Sequence, residues 1–523
     1  MRKSPPPAAP RDYHNVNSRA VRARPFTFHG TIVTYLGIDI GTSEVKAILT
    51  DDAQTILASA GVSLRISTPH PGWSEQHPDH WWHATLDVIA AIRAAQPLAF
   101  SGLRGIALSG QMHGATLLDE QQRVLRPAIL WNDTRASAEC AELEALVPES
   151  RAITGNQAMP GFTAPKLLWL QKHEPALFRA TAKVLLPKDY VALRLTGEYV
   201  SDMSDASGTL WLDVARRDWS ERMLAATGLS RAHMPRLVEG SAAAAQVRPS
   251  LCQEWGIAHA VVLAGGAGDN AAAAVGLGVV EPGAGLLSLG TSGVLFAGSD
   301  GYAPNPGQGV HAFCHCLPGR WHQMSVILSA ASSLAWVARL TQSSDIGELV
   351  TLAENVEART APLFLPYLSG ERTPHNDAAA RGVFFGLSTG HGRAELAYSV
   401  MEGVAFAMAD GNAALRGAGT QLREASFVGG GSRSRFWAQL CANASGVQVL
   451  RHDHGVAGGT LGAARLAQMA VTGLPPAQVC TRPAVRETIA PQAGGVLDER
   501  LARYRRLYPL LREEFAGAAA AAR

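Results

Sequence analysis

The sequence predicts an α/β protein of two related domains that face one another across a cleft. Three observations carry this. Strand-like and helical segments alternate along the chain, the pattern of sheets flanked by helices. The stretch "IDIGTSEVKAIL" near the N-terminus is echoed by "LLSLGTSGVLFA" at Leu286–Ala297, about 250 residues later, a spacing of whole-domain size. A third glycine-rich loop, "SFVGGGSRSRFW" at Ser426–Trp437, again follows an apolar strand and leads into a helix expected to begin near Arg435.

Taken in order, residues 1–33 are rich in Pro, Ala and Arg, lack any apolar period, and are expected to be a disordered extension outside the fold. Ile32–Ile40 then reads as a buried strand, Gly41-Thr42-Ser43 as a turn, Val45–Thr50 as a returning strand, and Asp51–Gln54 as a second turn into Ile56–Leu64. Connections this short demand antiparallel pairing. A helix follows behind Pro78-Asp79, with Trp82, Leu86 and Ile89 on one face, and Trp73, Trp81 and Trp82 are read as packing or helix entry. The domain boundaries expected are 34–280 and 281–512, with 513–523 a tail.

Composition narrows the function classes. With 523 residues, 47% hydrophobic, 17% charged and a net charge of +2, the chain is an ordinary globular protein without the field that recruits nucleic acid or an anionic membrane. No apolar run is long enough to cross a bilayer, and the N-terminus holds no secretory core. Six scattered cysteines suit free thiols in a reducing compartment, so a cytoplasmic enzyme is expected. The one cluster, Cys314-His315-Cys316, is read as an alternating strand because structural zinc sites want two pairs at wider spacing.

A Gly-Thr-Ser turn between strands offers backbone N–H groups and hydroxyls with little obstruction, which suits a polyphosphate. One such turn is weak evidence; two on facing domains, with a third glycine loop, are much stronger. Neither a Walker A loop nor a Gly-x-Gly-x-x-Gly fingerprint is present, and the protein-kinase loops and the Gly-x-Ser-x-Gly elbow are missing too. The stretch "GGAGDNAAAA" at residues 265–274 sets Asp269 between glycines and an alanine run. Asp269 either caps a helix or serves a ligand, and the glycines favour the second by letting a ligand approach the backbone.

The blocks "YLGIDIGTSEVKAILTD", "LAGGAGDNAAAAVGLG", "LLSLGTSGVLFA" and "FVGGGSRSRFWAQLCANASG" together resemble the FGGY family of carbohydrate kinases, within the actin-like ATPase superfamily. Further blocks, among them "SGQMHGATLLDEQQRVLRPAILWNDTRASAEC", "MPGFTAPKLLWLQKHEP" and "PYLSGERTPHNDAAARGVFFGLS", resemble its xylulose-phosphorylating branch, and the likeness runs from about Thr34 to about Leu511. It implies two actin-like (ribonuclease H-like) domains with mixed sheets flanked by helices, and ATP and sugar in the cleft between them. It implies transfer of the γ-phosphoryl group to the 5-hydroxyl of D-xylulose, with Asp269 as general base. An ordinary carboxylate pKa of about 3.9 would suffice for that role.

The same resemblance implies that Asp39 holds Mg²⁺ through water, and that Gly41, Thr42 and Ser43 with Gly290, Thr291 and Ser292 bind the phosphates of ATP. Asp39 could instead cap the Gly41 turn. Gly429, Gly430 and Gly431 would line the adenosine, with Arg433 flanking the purine or held in a surface ion pair. Met112, His113, Asn270, Trp131 and Asp133 would contact the sugar. Ala267 stands where the family more often has glycine, and "RHDHGVAGGTLGAARLA" keeps the closing Leu-Gly-Ala-Ala but departs ahead of it, which leaves the adenine side less defined. Partners are therefore the sugar and ATP, with a homodimer the one further association considered. Alternatives are a kinase of ribulose, glycerol or another polyol, and a sugar-responsive actin-like binding protein without catalysis. A regulator of that kind would carry a helical DNA-binding module, for which the Pro-rich arm is too short.

Overall fold

The computed structural model describes residues 22–23, 32–453, 458–492 and 494–521. Most of the expected extension lies outside the described residues, but Arg22–Ala23 form a short strand that pairs antiparallel with Ala58 and Ser59. The first sheet is built on β1 (Thr34–Ile40), β2 (Glu44–Asp51) and β3 (Ile56–Ser63), an antiparallel meander as the short turns require. The helix α1 (Pro78–Ala95) packs on it through Trp81, Trp82, Thr85, Val88, Ile89 and Ile92. Leu86, expected on this face, lies at its rim because the 3.6-residue period centres the buried stripe on Trp81, Thr85, Val88 and Ile92. The strand β4 (Leu103–Gly110) joins β1 in parallel, followed outward by Val262–Ala264, parallel, and Ala243–Gln246, antiparallel.

The second sheet repeats this order strand for strand. The hairpin β5 (Ala284–Leu289) and β6 (Gly293–Ser299) with β7 (Trp321–Ile327) forms the antiparallel meander. β8 (Glu424–Val428) and β9 (Gln448–His452) add in parallel, and Val485–Ile489 closes the edge antiparallel. His311–Cys314 pairs with β7 where Arg22–Ala23 pairs with β3. The repeated Gly-Thr-Ser motif therefore marks a repeated topology, and both mixed sheets are flanked by helices. The outer antiparallel strand precedes its parallel neighbour in the first lobe and follows it in the second.

The chain crosses between lobes after β9. Helix α2 (Asp269–Gly276) and helix α3 (Gly458–Thr472) pack on each other, and α3 lies on the first sheet although it is reached from the second. A Cβ on Gly462 would lie 1.8 Å from the Ala272 carbonyl oxygen, one on Gly276 2.0 Å from that of Gly458, and one on Gly37 2.0 Å from that of Thr460. This closeness is why "AAAAVG" and "GGTLGAA" hold almost nothing larger than a methyl group. Arg465 on α3 donates to the carbonyls of Val275 and Gly276, closing the end of α2.

The last helix α4 (Val496–Ala521) continues past the expected end at 512 and buries Phe515 against the second lobe. The Cys314 strand does not alternate: all four residues His311–Cys314 are buried, because the strand is packed on both faces. All six cysteines are free thiols, and among the described residues no helix is long and apolar enough to cross a membrane.

Candidate active site

A cavity of about 320 Å³ lies between the lobes. Of the expected site residues, Met112, His113, Trp131, Asp269, Asn270 and Ser292 line it together. Phe162, His311, Phe313, Met324 and Arg372 line it as well.

Asp269 is the first residue of α2, and its Oδ1 accepts the Asn270 backbone N–H at 2.7 Å and the Asn270 amide at 2.8 Å. The carboxylate opens to the cleft, yet the surrounding protein limits its solvation. That desolvation and the charge of Asp39 push its pKa up to about 6, against the partial relief given by Asn270. The role needs no such shift, since an ordinary carboxylate would suffice, but the site supplies one.

The reason for the preceding glycines is corrected too. A Cβ on Gly265 would lie 2.3 Å from the Glu239 carbonyl oxygen, one on Gly266 2.3 Å from that of Leu108, and one on Gly268 2.9 Å from the Met112 sulfur. Gly266 also adopts a φ of 84°. The glycines make room for other parts of the chain rather than for a ligand. A relay anchors the loop: Gly268 N–H donates to Ser204 Oγ at 3.0 Å, and Ser204 donates to Asp202, whose other oxygen lies 2.9 Å from the buried Lys188 ammonium.

Asp39 sits at the end of β1, where its Oδ1 accepts from Ser109 Oγ at 2.9 Å. Burial raises its pKa, with Ser109 and Lys46 opposing. It does not cap the Gly41 turn, which closes through Gly41 N–H to Glu44 O at 3.0 Å. The start of α3 comes up against it, since a Cβ on Gly459 would be 3.3 Å from the Asp39 carboxyl carbon. Among the described residues no group of three or more His, Cys, Asp or Glu side chains is placed to hold a metal directly. Two carboxylates raised together in this way nevertheless suit a divalent cation held through water and phosphate oxygens.

The first turn is tied to the cavity wall. Thr42 donates to Gln111 Oε1 at 2.9 Å and accepts from Trp131 Nε1 at 3.0 Å, while Gln76 Nε2 donates to the Thr42 carbonyl at 2.7 Å. Trp81 donates to Gln76 at 2.9 Å, so this tryptophan holds the network as well as packing. The second turn abuts the helix after β7, its Thr291 carbonyl accepting from Ala330 N–H and Ser332 Oγ.

His113 has a φ of 70°, held by Lys166 and Thr163, which both donate to its carbonyl. Burial pulls its pKa down to about 3, so the ring is neutral. Nδ1–H donates to Gly208 O at 2.6 Å, which leaves Nε2 as a bare acceptor. Met112 packs its thioether against Gly208 and Gly268.

Other expected residues are placed differently. Asp133 does not reach the cavity: its oxygens are taken by Arg135 and by Ser74 N–H at 2.7 Å, so it braces the Trp131 loop. Gly429 and Gly431 pack against Leu289, leaving Gly430 the open one of the three. Arg433 is exposed with no carboxylate within 4 Å among the described residues, so the surface ion pair is not formed. Sequence reasoning missed Gln76, Gln111, His311 and Arg372. The last lies inside the "GERTP" block, where an arginine beside a glutamate resembles a surface pair.

The N-terminal-domain model of the FGGY family of carbohydrate kinases matches residues 34–276, and the C-terminal-domain model matches residues 285–471. The second match thus includes α3, which folds onto the first lobe. A xylulose kinase of Escherichia coli (strain K12) is 54% identical over 437 residues, 83% of this chain and 90% of that protein. A xylulose kinase of Bacillus subtilis (strain 168) is 35% identical over 460 residues, 87% and 92% of the two chains. Among solved structures, a kinase from Brucella ovis described as a "xyloylose kinase" superposes with a TM-score of 0.90 at 52% identity, covering 92% of this chain and 99% of that one. A glycerol kinase of Plasmodium falciparum, 19% identical with a TM-score of 0.83, shares the fold over 94% of this chain and 99% of its own.

Proposed function

The chain belongs to the FGGY family of carbohydrate kinases, and from that premise we propose that it phosphorylates D-xylulose at its 5-hydroxyl, with Asp269 as the base. The observation that carries this is the convergence of Asp269, His113, Trp131 and Ser292 on one cavity between the lobes. The likeness to xylulose kinases of 54% and 35% identity supports the choice of acceptor.

In this reading the sugar hydroxyl lies against Asp269. Its oxygen attacks the γ-phosphorus of ATP as its proton passes to the carboxylate, and ADP leaves in line. A base of pKa about 6 is ionised at neutral pH yet more basic than an ordinary aspartate, which favours that transfer. Asn270 fixes the carboxylate by two hydrogen bonds. His113 Nε2 accepts from a sugar hydroxyl, and the Trp131 ring covers a C–H face of the chain. The turns at Gly41–Ser43 and Gly290–Ser292 cradle the phosphates from the two lobes, and Gly430 with Arg433 borders the adenosine. Mg²⁺, held by Asp39 through water, would neutralise the phosphate charge that otherwise adds to the repulsion between Asp39 and Asp269. Closure of the lobes excludes water that would otherwise accept the phosphoryl group.

The test is ADP release from Mg·ATP with D-xylulose, beside no sugar, D-ribulose and glycerol. Strong stimulation by xylulose alone is expected. Stimulation by another polyol instead would discard the acceptor and keep the chemistry, and none by any sugar in folded protein would point to a binding protein.

A further inference from the structure

Opposite charges line the cavity without meeting. Asp269 and Arg372 both face it, yet no carboxylate lies within 4 Å of the Arg372 guanidinium among the described residues. The neighbouring Glu371 forms no ion pair with it: that carboxyl is turned to the backbone N–H groups of Leu328 and Arg372, and burial pushes its pKa up to about 8, so the two feel one another's charge without touching. Among the described residues no other Lys or Arg lines the cavity.

The guanidinium is aimed rather than loose. Asn156 Nδ2 donates to the carbonyls of Thr154 and Ala312, which fixes its amide and leaves Oδ1 to accept from His311 Nδ1 at 2.8 Å. His311 is buried and neutral, so its Nε2 is an acceptor, 3.3 Å from Arg372 Nη1. Stacking of His311 on Phe313, with planes 8° apart, holds the ring. One arm of the fork is thus occupied, and among the described residues the rest meets no acceptor, which leaves it to a ligand. The charge of Arg372 bears on His113 and His311, whereas Asp269 feels that of Asp39.

We infer that Arg372 binds the end of the acceptor remote from the transferred phosphate, the C2 carbonyl and C1 hydroxyl of a ketopentose, and that it lets a five-carbon aldonate occupy the cleft through its carboxylate. The inference rests on the proposed ketose acceptor with its 5-hydroxyl at Asp269. A planar fork suits two adjacent oxygens, and a carboxylate satisfies both geometry and charge. Removing it strips an interaction present in ground and transition states alike, so KM for the sugar moves more than kcat.

The experiment compares the whole protein with Arg372→Met. D-xylulose is set against xylitol, which lacks the carbonyl, and D-xylonate is the competing anion. In the parent protein xylonate is expected to compete with xylulose. In Arg372→Met, KM for xylulose rises by about 100-fold, the preference for xylulose over xylitol collapses, and xylonate inhibition disappears. A preserved preference, or a rise confined to KM for ATP, overturns the inference. Xylonate binding by calorimetry, without ATP, separates this from the acceptor assignment: if the parent protein phosphorylates no ketose, binding lost in the variant still upholds the anion site, and equal binding by both removes it. Nucleotide binding certifies the fold of the variant. Should Arg372→Met not fold, Arg372→Lys is expected to keep xylonate binding and lose about tenfold on xylulose, since it keeps charge without the fork.

Discussion

The indole N–H of Trp131 donates to the Thr42 hydroxyl at 3.0 Å, which joins the first phosphate turn to the wall of the sugar cavity. The same hydroxyl donates to Gln111, so its one proton is spent inside the protein. Its task is to place the ring and the turn together. Thr42→Val leaves the indole without its acceptor while preserving shape. We expect KM for the sugar to rise about tenfold, the loss of roughly one hydrogen bond, with Thr42→Ser restoring it. An unchanged KM in steady-state assays of Thr42→Val would refute the coupling.

Asp269→Asn removes the base and one of two repelling carboxylates. Turnover is expected to fall about a thousandfold with ATP binding retained. In the parent protein kcat/KM should fall as pH drops below about 6, where the carboxylate takes up its proton. Stability moves the other way. The folded pKa lies above the ordinary value of 3.8, so the folded state holds the proton more tightly and loses stability as pH rises from about 4 through about 6. The melting temperature of Asp269→Asn should therefore exceed that of the parent above pH 6 and converge with it near pH 4. Coincident melting curves across that range would remove Asp269 as a strained group.

The sequence made the two sheets legible because the Gly-Thr-Ser turn recurs with its flanking apolar strands, and a short turn between such strands permits only antiparallel pairing. It also pointed to Asp269 through its flanking glycines, although these turn out to make room for the chain rather than for a ligand. What it hid was set by contacts distant in the chain. The return of α3 to the first lobe is fixed by backbone contact with Gly37 and Ala272, which no local pattern announces. Asp133 looked like a pocket residue, but Arg135 two positions on consumes it. Arg372 carried no local signal of its own, and only the folded chain shows its guanidinium held by His311 at the cavity without an ion pair.

Gly268 tests the packing under the base. Its φ of −62° suits any residue, so alanine there carries no backbone strain, and the nearest atoms it meets belong to the Met112 side chain, the sulfur 2.9 Å from the new carbon. Met112 must shift, and it lines the cavity. Gly268→Ala is expected to lower kcat/KM for the sugar about tenfold with KM for ATP unchanged, and Gly268→Ala with Met112→Ala to recover part of the loss. Equal losses in the single and double variants would show that the methyl group acts elsewhere.

Two glycines three residues apart on α3 should fail in opposite ways. A Cβ on Gly462 would lie 1.8 Å from the Ala272 carbonyl oxygen, and since that atom is backbone, only separation of α2 from α3 relieves it. Gly462→Ala should cost about 3 kcal/mol of stability, at the upper end for overpacking, and lower activity as a consequence. On Gly459 the new carbon faces the Asp39 carboxylate at 3.3 Å, which is tight but open to adjustment at the cleft. Gly459→Ala should melt within about 1 kcal/mol of the parent while KM for Mg·ATP rises, because the methyl group intrudes where Asp39 meets the phosphates. Chemical denaturation and initial-rate assays on both variants separate the outcomes. A stable Gly462→Ala would contradict the close helix contact, and a Gly459→Ala with normal nucleotide kinetics would move the phosphate site away from the start of α3.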